Sequence, residues 1–396
     1  MRYGRYAWVV VGLLWVVALL NYVDRQVLFS LFPLLRSELH LDSVQMGLLS
    51  TVFLWVYGVL SPAAGFLADR FGRVRIILLS LLVWSLVTWA TGHARTFPEL
   101  LTARGLMGIS EACYLPAALA LVADYHGGRT RSLATGIHQS GLYAGIVLGG
   151  AGGGWMGQHY GWRASFTFLG IAGVAYTLLL RRMLRAPEPA ASTGPRPRFF
   201  PAMRELLGIK GFAAMTLAFA VLSMANWVVY TWLSLYLYER FRLSLTQAGF
   251  SATFYVQAAG VLGILCGGWL ADRWSRRTPR GRLFTQTAGL VASGAFLFLA
   301  AAAGSLPLAL GGLALFGFAK GFYDCNTMPV LCQVARPELR SSGYGIFNLA
   351  GCLAGGATAA AAGWFKSVVG LEGAFQATAV LVVASAFLLL TIRVEE

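Results

Sequence analysis

An all-α membrane protein of twelve transmembrane helices, arranged as two six-helix repeats, is the fold class that this 396-residue sequence predicts. Three observations predict it. Apolar residues make up 57% of the chain and charged ones 12%, with a mean hydropathy of +0.66, far from the balance of a water-soluble domain. The apolar residues fall in about twelve runs, each long enough for the roughly 20 residues that a bilayer-crossing helix needs. Short motifs recur at matching places in the two halves.

The runs fall at 7–34, 45–67, 75–93, 97–123, 132–158 and 164–184, then at 211–238, 246–271, 283–304, 306–333, 341–365 and 372–393. Span 1 follows Arg2 and Arg5 like the start of a signal peptide, but it lacks a small-residue cleavage site and reads as an uncleaved first helix. The long polar stretch at 185–210, rich in Pro, Ala and Arg, reads as a linker. The expected organisation is therefore a bundle at 1–184, a cytoplasmic linker at 185–210 and a second bundle at 211–396. A formal charge of +15 would suit a nucleic-acid binder, but its distribution argues for membrane topology instead. Twenty-two of the 31 Lys and Arg residues fall in segments on one side of this layout, six on the other, and Arg25, Arg104 and Lys320 inside spans. The excess of positive charge marks the cytoplasmic side and places both termini there. The cysteines, Cys113, Cys266, Cys325, Cys332 and Cys352, show no metal or disulfide spacing and read as packing residues.

Gly65-Phe66-Leu67-Ala68-Asp69-Arg70 repeats 203 residues later as Gly268-Trp269-Leu270-Ala271-Asp272-Arg273. Arg131-Ser132-Leu133-Ala134-Thr135-Gly136-Ile137 repeats after 209 residues as Arg340-Ser341-Ser342-Gly343-Tyr344-Gly345-Ile346. The first pair follows spans 2 and 8, and the second precedes spans 5 and 11. This is a parallel repeat of the kind found in secondary transporters. The stretch from Gly65 to Arg75, GFLADRFGRVR, resembles the signature of the major facilitator superfamily in the corresponding loop. Asn21-Tyr22-Val23-Asp24-Arg25 and the run from Arg104 to Ala112, RGLMGISEA, resemble the anion:cation symporters within it, a group of sugar-acid and organic-anion transporters. The same two motifs resemble the Spinster lysolipid and sphingolipid transporters.

Charged side chains inside a span cost roughly 2.5–3.5 kcal/mol each on insertion scales and normally face a bundle interior or a water-filled path. Asp24 and Arg25 interrupt span 1 in this way. They are either a self-neutralising pair near the membrane surface or part of a solute pathway, and the rest of the chain favours the pathway. A proton-driven carrier needs a carboxyl group that exchanges its proton from either side, so the intramembrane acids Asp24, Glu111 and Asp324 are the candidates. Arg104 and Glu111 are seven residues apart and share one face of span 4, with Gly108 between them leaving room for a helix or a solute. Structural ion pairs, Arg104 with Asp24 or Arg25 with Glu111, are the plainer reading of the four charges. A pair that breaks on protonation would satisfy both readings. The family resemblance implies proton coupling by Asp24 and Glu111, and coupling or anion binding by Arg25 and Arg104. Arginine suits a carboxylate because its planar fork donates two parallel hydrogen bonds.

Lys320 and Asp324 stand one helical turn apart in span 10, as either a packing pair or a substrate contact, with Tyr323 and Asn326 close by. Tyr22, His138, Gln139, Asn226, Tyr230, Gln257 and Asn348 are further pore-facing candidates, each weighed against an ordinary helix–helix hydrogen bond. His138 stands out because imidazole titrates near neutral pH. Asp69, Arg70 and Arg73 read as a gate at the cytoplasmic end of span 2, where the superfamily resemblance implies a latch. Asp272 and Arg273 repeat it, with Ser275 standing where the first copy has Gly72. Span 5 contains Gly141, Gly145, Gly149, Gly150, Gly152, Gly153, Gly154 and Gly157, and the last four satisfy G-x-G-x-x-G. No strand precedes them, so they read as close helix packing rather than a dinucleotide site. Spans 5 and 11 are the expected close-packed, rocking helices between the halves.

No Walker loop, metal cluster or nucleophile elbow occurs in the sequence, so it supports neither ATP hydrolysis nor an enzyme. The expected protein is a monomeric inner-membrane secondary transporter without a cofactor, working by alternating access. Its expected partners are a small organic anion, protons and the lipid bilayer, with no nucleic acid. A Spinster-like lipid carrier is the alternative, and a transporter-like solute sensor a more distant one.

Overall fold

The computed structural model describes residues 4–41, 43–127, 129–187, 198–243 and 245–392. The described secondary structure is helical throughout. In chain order the helices are α1 (Gly4–Leu39), α2 (Ser43–Phe71), α3 (Arg73–Thr91), α4 (Phe97–Ala112), α5 (Tyr114–Tyr125), α6 (Arg131–Tyr160) and α7 (Trp162–Met183). A short α8 (Phe199–Gly208) follows, then α9 (Phe212–Phe241), α10 (Leu245–Trp274), α11 (Gly281–Ala302), α12 (Leu306–Asp324), α13 (Thr327–Val334) and α14 (Arg340–Leu389). Glycine at 370 takes φ 72° and ψ 172°, a conformation that bars helix continuation, so α14 is two consecutive helices meeting there. With α4 and α5 counted as one broken span, and α12 and α13 as another, twelve spans result.

Among the described residues, ten stretches are long and apolar enough to cross a bilayer by hydropathy alone. The other two are α6, diluted by its glycines, and the first part of α14. Large apolar side chains such as Trp55, Val59, Phe168, Leu262 and Leu299 point outwards and are exposed. A water-soluble protein does not tolerate so large an apolar surface, whereas lipid does. The polar linker holds structure of its own in α8. Its Ala202 and Leu206 are buried and its Phe199 ring meets Phe66 edge-on, while Phe200 and Leu207 are exposed.

Two compact units divide the chain. Unit one comprises Met1–Tyr125, His138–Met203 and Pro337–Gly345, and unit two comprises His126–Ile137, Arg204–Arg336 and Ile346–Glu396. Each contains a short segment whose sequence neighbours lie in the other.

Glycines set the helix spacing inside each unit. In unit one, Gly141, Gly145, Gly149, Gly153 and Gly157 of α6 lie against Trp15, Leu19, Val23, Val27 and Leu31 of α1. Both series advance by four residues in the same sense, so α1 and α6 run parallel with their backbones in close contact. In unit two, Gly351 and Gly355 of α14 meet Phe219, Ser223 and Trp227 of α9 in the same way. The glycine rows thus seat a neighbour within their own unit. Sequence spacing shows only that a row of small residues can receive a helix, not which helix fills it.

An added side chain at Gly145 would lie 2.6 Å from the Leu19 carbonyl oxygen, whereas at Gly152 it would meet nothing within 4 Å. Gly145→Leu is expected to destabilise the fold by about 1–3 kcal/mol through overpacking. Gly152→Leu is expected to be near neutral. Thermal unfolding of the two purified variants checks this, and equal stability would contradict the α1–α6 seam.

Candidate functional site

The charged turn of span 1 sits inside an unbroken helix. Asp24 is 3% exposed, Arg104 2% and Glu111 0%. Of the pairings open to these charges, the structure forms one: Arg25 Nε donates to Glu111 Oε2 at 2.5 Å, joining α1 to α4. Among the described residues Asp24 has no ion-pair partner. Its Oδ2 accepts from Thr88 Oγ1 of α3 at 3.4 Å, and the Trp84 indole faces it from the same helix. Asp24 Oδ1 and Glu111 Oε1 are both buried without a hydrogen bond. Buried polar atoms are rarely left so, because each costs roughly 1–3 kcal/mol.

Aromatic rings shelter the cations. The Arg25 guanidinium lies 4.6 Å from the ring centre of Tyr57 and 4.9 Å from those of Tyr22 and Phe53. Arg104 lies 4.6 Å from the Phe53 ring. Ring faces carry negative quadrupole charge, so they attract a cation that has left water. Arg104 also donates to the Leu49 carbonyl at 3.2 Å and to the Met107 sulfur at 3.0 Å. Among the described residues no carboxylate stands within ion-pair distance of it. Gly108, between Arg104 and Glu111, admits the α2 backbone at Phe53 and Tyr57, so a helix fills that room.

The remaining candidates are dispersed. His138 is fully buried, and its Nε2 lies 2.9 Å from the hydroxyl of Tyr114, which donates to the Leu14 carbonyl at 2.8 Å. Gln139 is buried beside it in the chain. In unit two, Asn226 is half-buried on α9 and Tyr230 exposed, with the Tyr230 ring near Trp227. Gln257 on α10 and Asn348 on α14 are buried. Lys320 Nζ donates to Asp324 Oδ2 at 2.6 Å.

At the end of α2, Asp69 caps the start of α14. It accepts from the Ser341 amide at 3.3 Å, the Ser342 amide at 2.8 Å and the Ser342 hydroxyl at 2.9 Å. Free amides and the positive end of the helix dipole make that terminus a carboxylate site. Arg73 bridges Asp69, Asp124 and the Pro337 carbonyl, and Arg340 reaches Asp124 at 3.4 Å. Asp272 repeats the arrangement in unit two, accepting from the Ser132 amide at 3.1 Å, the Leu133 amide at 2.9 Å and Arg282 at 2.8 Å. Gly72 takes φ 96° to turn from α2 straight into α3. At Ser275 the turn is spread over the six residues between α10 and α11, and no left-handed residue is needed. Arg70 and Arg273 stay outside these clusters, lying over Phe66 and Trp269.

Phe53, Tyr57, Thr88, Trp84, Asp124 and Arg282 were not among the residues that the sequence singled out. Phe53 and Tyr57, one turn apart on α2, read as ordinary apolar span residues. Asp124 carried a usable signal, as a lone acid at a span end beside a loop that holds Arg129 and Arg131.

Residues 14–359 match the Major Facilitator Superfamily. The probable galactarate/D-glucarate transporter GarP of Escherichia coli K12 is 26% identical over 392 residues, covering 90% of this chain and 87% of the relative. Protein spinster homolog 1 of Xenopus tropicalis is 26% identical over 318 residues, covering 75% of this chain and 60% of the relative. In fold, a crystal structure of the E. coli fucose:proton symporter FucP aligns with a TM-score of 0.79 at 15% identity, covering 99% of this chain and all of that one. With a family match across most of its length and a fold to agree with it, the chain belongs to the Major Facilitator Superfamily, a family of membrane transporters and not of enzymes.

Proposed function

We propose that this protein is an inner-membrane, proton-coupled symporter of a small organic anion, a sugar acid or related carboxylate, working by alternating access with both termini in the cytoplasm. The observation that carries the reading is the buried set in unit one. Arg25 and Glu111 are paired, Arg104 lacks a carboxylate partner among the described residues, and each acid has an oxygen without a hydrogen bond. A guanidinium held over Phe53 and away from water is suited to a substrate carboxylate. Asp24 and Glu111 serve as the proton-carrying groups. Protonation of Glu111 releases Arg25 and unties α1 from α4, a local charge change with the reach to move a helix. Similarity to a probable galactarate/D-glucarate transporter supports the substrate class.

Tyr22, His138, Gln139, Asn226, Tyr230, Lys320, Asp324 and Asn348 complete the proposed substrate contacts. Asp69, Arg70, Arg73, Asp272 and Arg273 are the proposed gate. Asp69 and Asp272 act as helix caps that must be released for α2 and α10 to part from the segments they hold. A Spinster-like lipid carrier is the second reading, supported by the similarity to protein spinster homolog 1.

Ligand-induced thermal stabilisation of the purified protein, screened over sugar acids, other carboxylates and lysolipids, separates the two. A ligand at 100 times its Kd stabilises by about 2.7 kcal/mol. A carboxylate hit supports the symporter, and hits among lysolipids alone support the lipid carrier. Arg104→Ala is expected to weaken carboxylate binding by about 1.5–3 kcal/mol, the loss of a charge-assisted hydrogen bond. In proteoliposomes, Glu111→Gln is expected to abolish proton-driven uptake while sparing exchange of labelled for unlabelled solute, and retention of driven uptake would remove Glu111 from the mechanism. Asp69→Asn is expected to slow uptake without changing the affinity for the anion, measured as initial rate against binding on the same preparation.

A further inference from the structure

The first and last spans of unit one are clasped where α1 begins and α7 ends. The Tyr6 hydroxyl of α1 donates to the Met183 carbonyl at 2.6 Å and accepts from the Arg185 amide at 2.8 Å. Further along, the Tyr176 hydroxyl of α7 donates to the Leu13 carbonyl at 2.8 Å. Seven residues separate the contacts on each helix, in opposite senses, so α1 and α7 are antiparallel and in register. Arg5 therefore comes level with Leu184 and Arg185. The Tyr125 hydroxyl donates to the Arg185 carbonyl at 2.6 Å, which fixes the chain leaving α7 from a second side.

This register gathers Arg5, Arg181, Arg182 and Arg185, all of them exposed. The Arg185 guanidinium rests over the Tyr6 ring, 5.8 Å from its centre. None of the four forms an ion pair among the described residues. Asp124, next to Tyr125 in the chain, is already held by Arg73 and Arg340. The first turn of α1 has no acid to offset the positive end of its dipole, and Arg5 adds a cation there. The cluster therefore lacks a counter-charge.

Each helix also sets its arginines one turn from exposed apolar surface. Trp8 and Val9 follow Arg5 by three and four residues and share its face of α1. Leu178 precedes Arg181 and Arg182 by the same steps and shares their face of α7. Trp8, Val9 and Leu178 are 37%, 42% and 60% exposed, so in a bilayer they meet acyl chains. Guanidinium groups at the membrane surface pair with phosphate oxygens, and tryptophan settles at the same level. Positive charge that only orients a membrane protein needs number and side, not this clasped placement.

We propose that the joined ends of α1 and α7 form a binding site for an anionic phospholipid. The four arginines hold its headgroup phosphate, and its acyl chains lie along the apolar side chains one turn deeper. The site is contained within unit one and does not depend on which solute is transported.

Native mass spectrometry of the full-length protein in detergent, titrated with phosphatidylglycerol, phosphatidylcholine or glycerol 3-phosphate, tests this. Phosphatidylglycerol is expected to bind at least tenfold more tightly than the other two, one of which lacks net charge and the other acyl chains. A basic side chain near a lipid headgroup is worth about fivefold in affinity, so Arg181→Gln with Arg182→Gln is expected to weaken the tightest phosphatidylglycerol binding about 25-fold. Arg181→Lys with Arg182→Lys keeps the charge and is expected to restore most of it. Arg276→Gln with Arg280→Gln, which removes two exposed arginines of unit two, is expected to leave it unchanged. Thermal unfolding without lipid checks that each variant is folded, and Arg5→Gln with Arg185→Gln serves should the first pair not be recovered. Wild-type affinity in the Gln variants of unit one would leave these arginines to topology alone and overturn the proposal. Equal loss in the Arg276 and Arg280 variant, or equal binding of phosphatidylcholine or glycerol 3-phosphate, would also overturn it.

Discussion

The ion pair between Arg25 and Glu111 is the constraint around which unit one is arranged. Two opposite charges withdrawn from water repay their desolvation only with good geometry and further polar partners, and removing one partner from such a pair costs about 3–5 kcal/mol. The surrounding residues meet that demand on the side of the cations, while Glu111 Oε1 is left without a hydrogen bond. Tyr22, Phe53 and Tyr57 present ring faces to Arg25, and Phe53 also faces Arg104. Gly108 brings α2 close enough to α4 for its aromatic residues to reach both cations.

The same use of small residues recurs wherever a helix must come close. The row from Gly141 to Gly157 seats α1, so the helix bearing Asp24 and Arg25 is held along five consecutive contacts. A charged turn on so closely held a helix has little freedom to drift towards lipid. Asp69 and Asp272, in contrast, are held by hydrogen bonds to helix-terminal amides, contacts that part without creating a cavity. Tight apolar seams around the buried charges and polar caps at the helix ends are a division of labour suited to a transporter.

Much of the fold was legible because lipid imposes a simple rule on sequence. A span needs about 20 apolar residues, and each run read from the sequence falls on a helix, a broken pair of helices or one part of α14. The two pairs of repeated motifs were visible as partial identities, GFLADR with GWLADR and RSLATGI with RSSGYGI. The helix inside the linker was less visible, since its ten residues carry only a short apolar stripe at Phe199, Ala202 and Leu206. The breaks in spans 4 and 10 were signalled by Pro116 and Pro329, but a proline in a long apolar run does not say whether the helix bends or stops.

By itself the sequence determined the class of fold, the number of spans, their repeat and the identity of the intramembrane charges, because each follows from local composition and spacing along one helix. Only the tertiary structure decided which charges meet. Asp24 and Arg25 are chain neighbours and do not pair, while Glu111, 86 residues from Arg25, is its partner. Neither the shelter of Phe53 and Tyr57, nor the seat that α6 makes for α1, nor the capping of α14 by Asp69 could be read from spacing. Each depends on the rotation and depth of one helix against another, and those are fixed by side-chain packing between residues far apart in the chain.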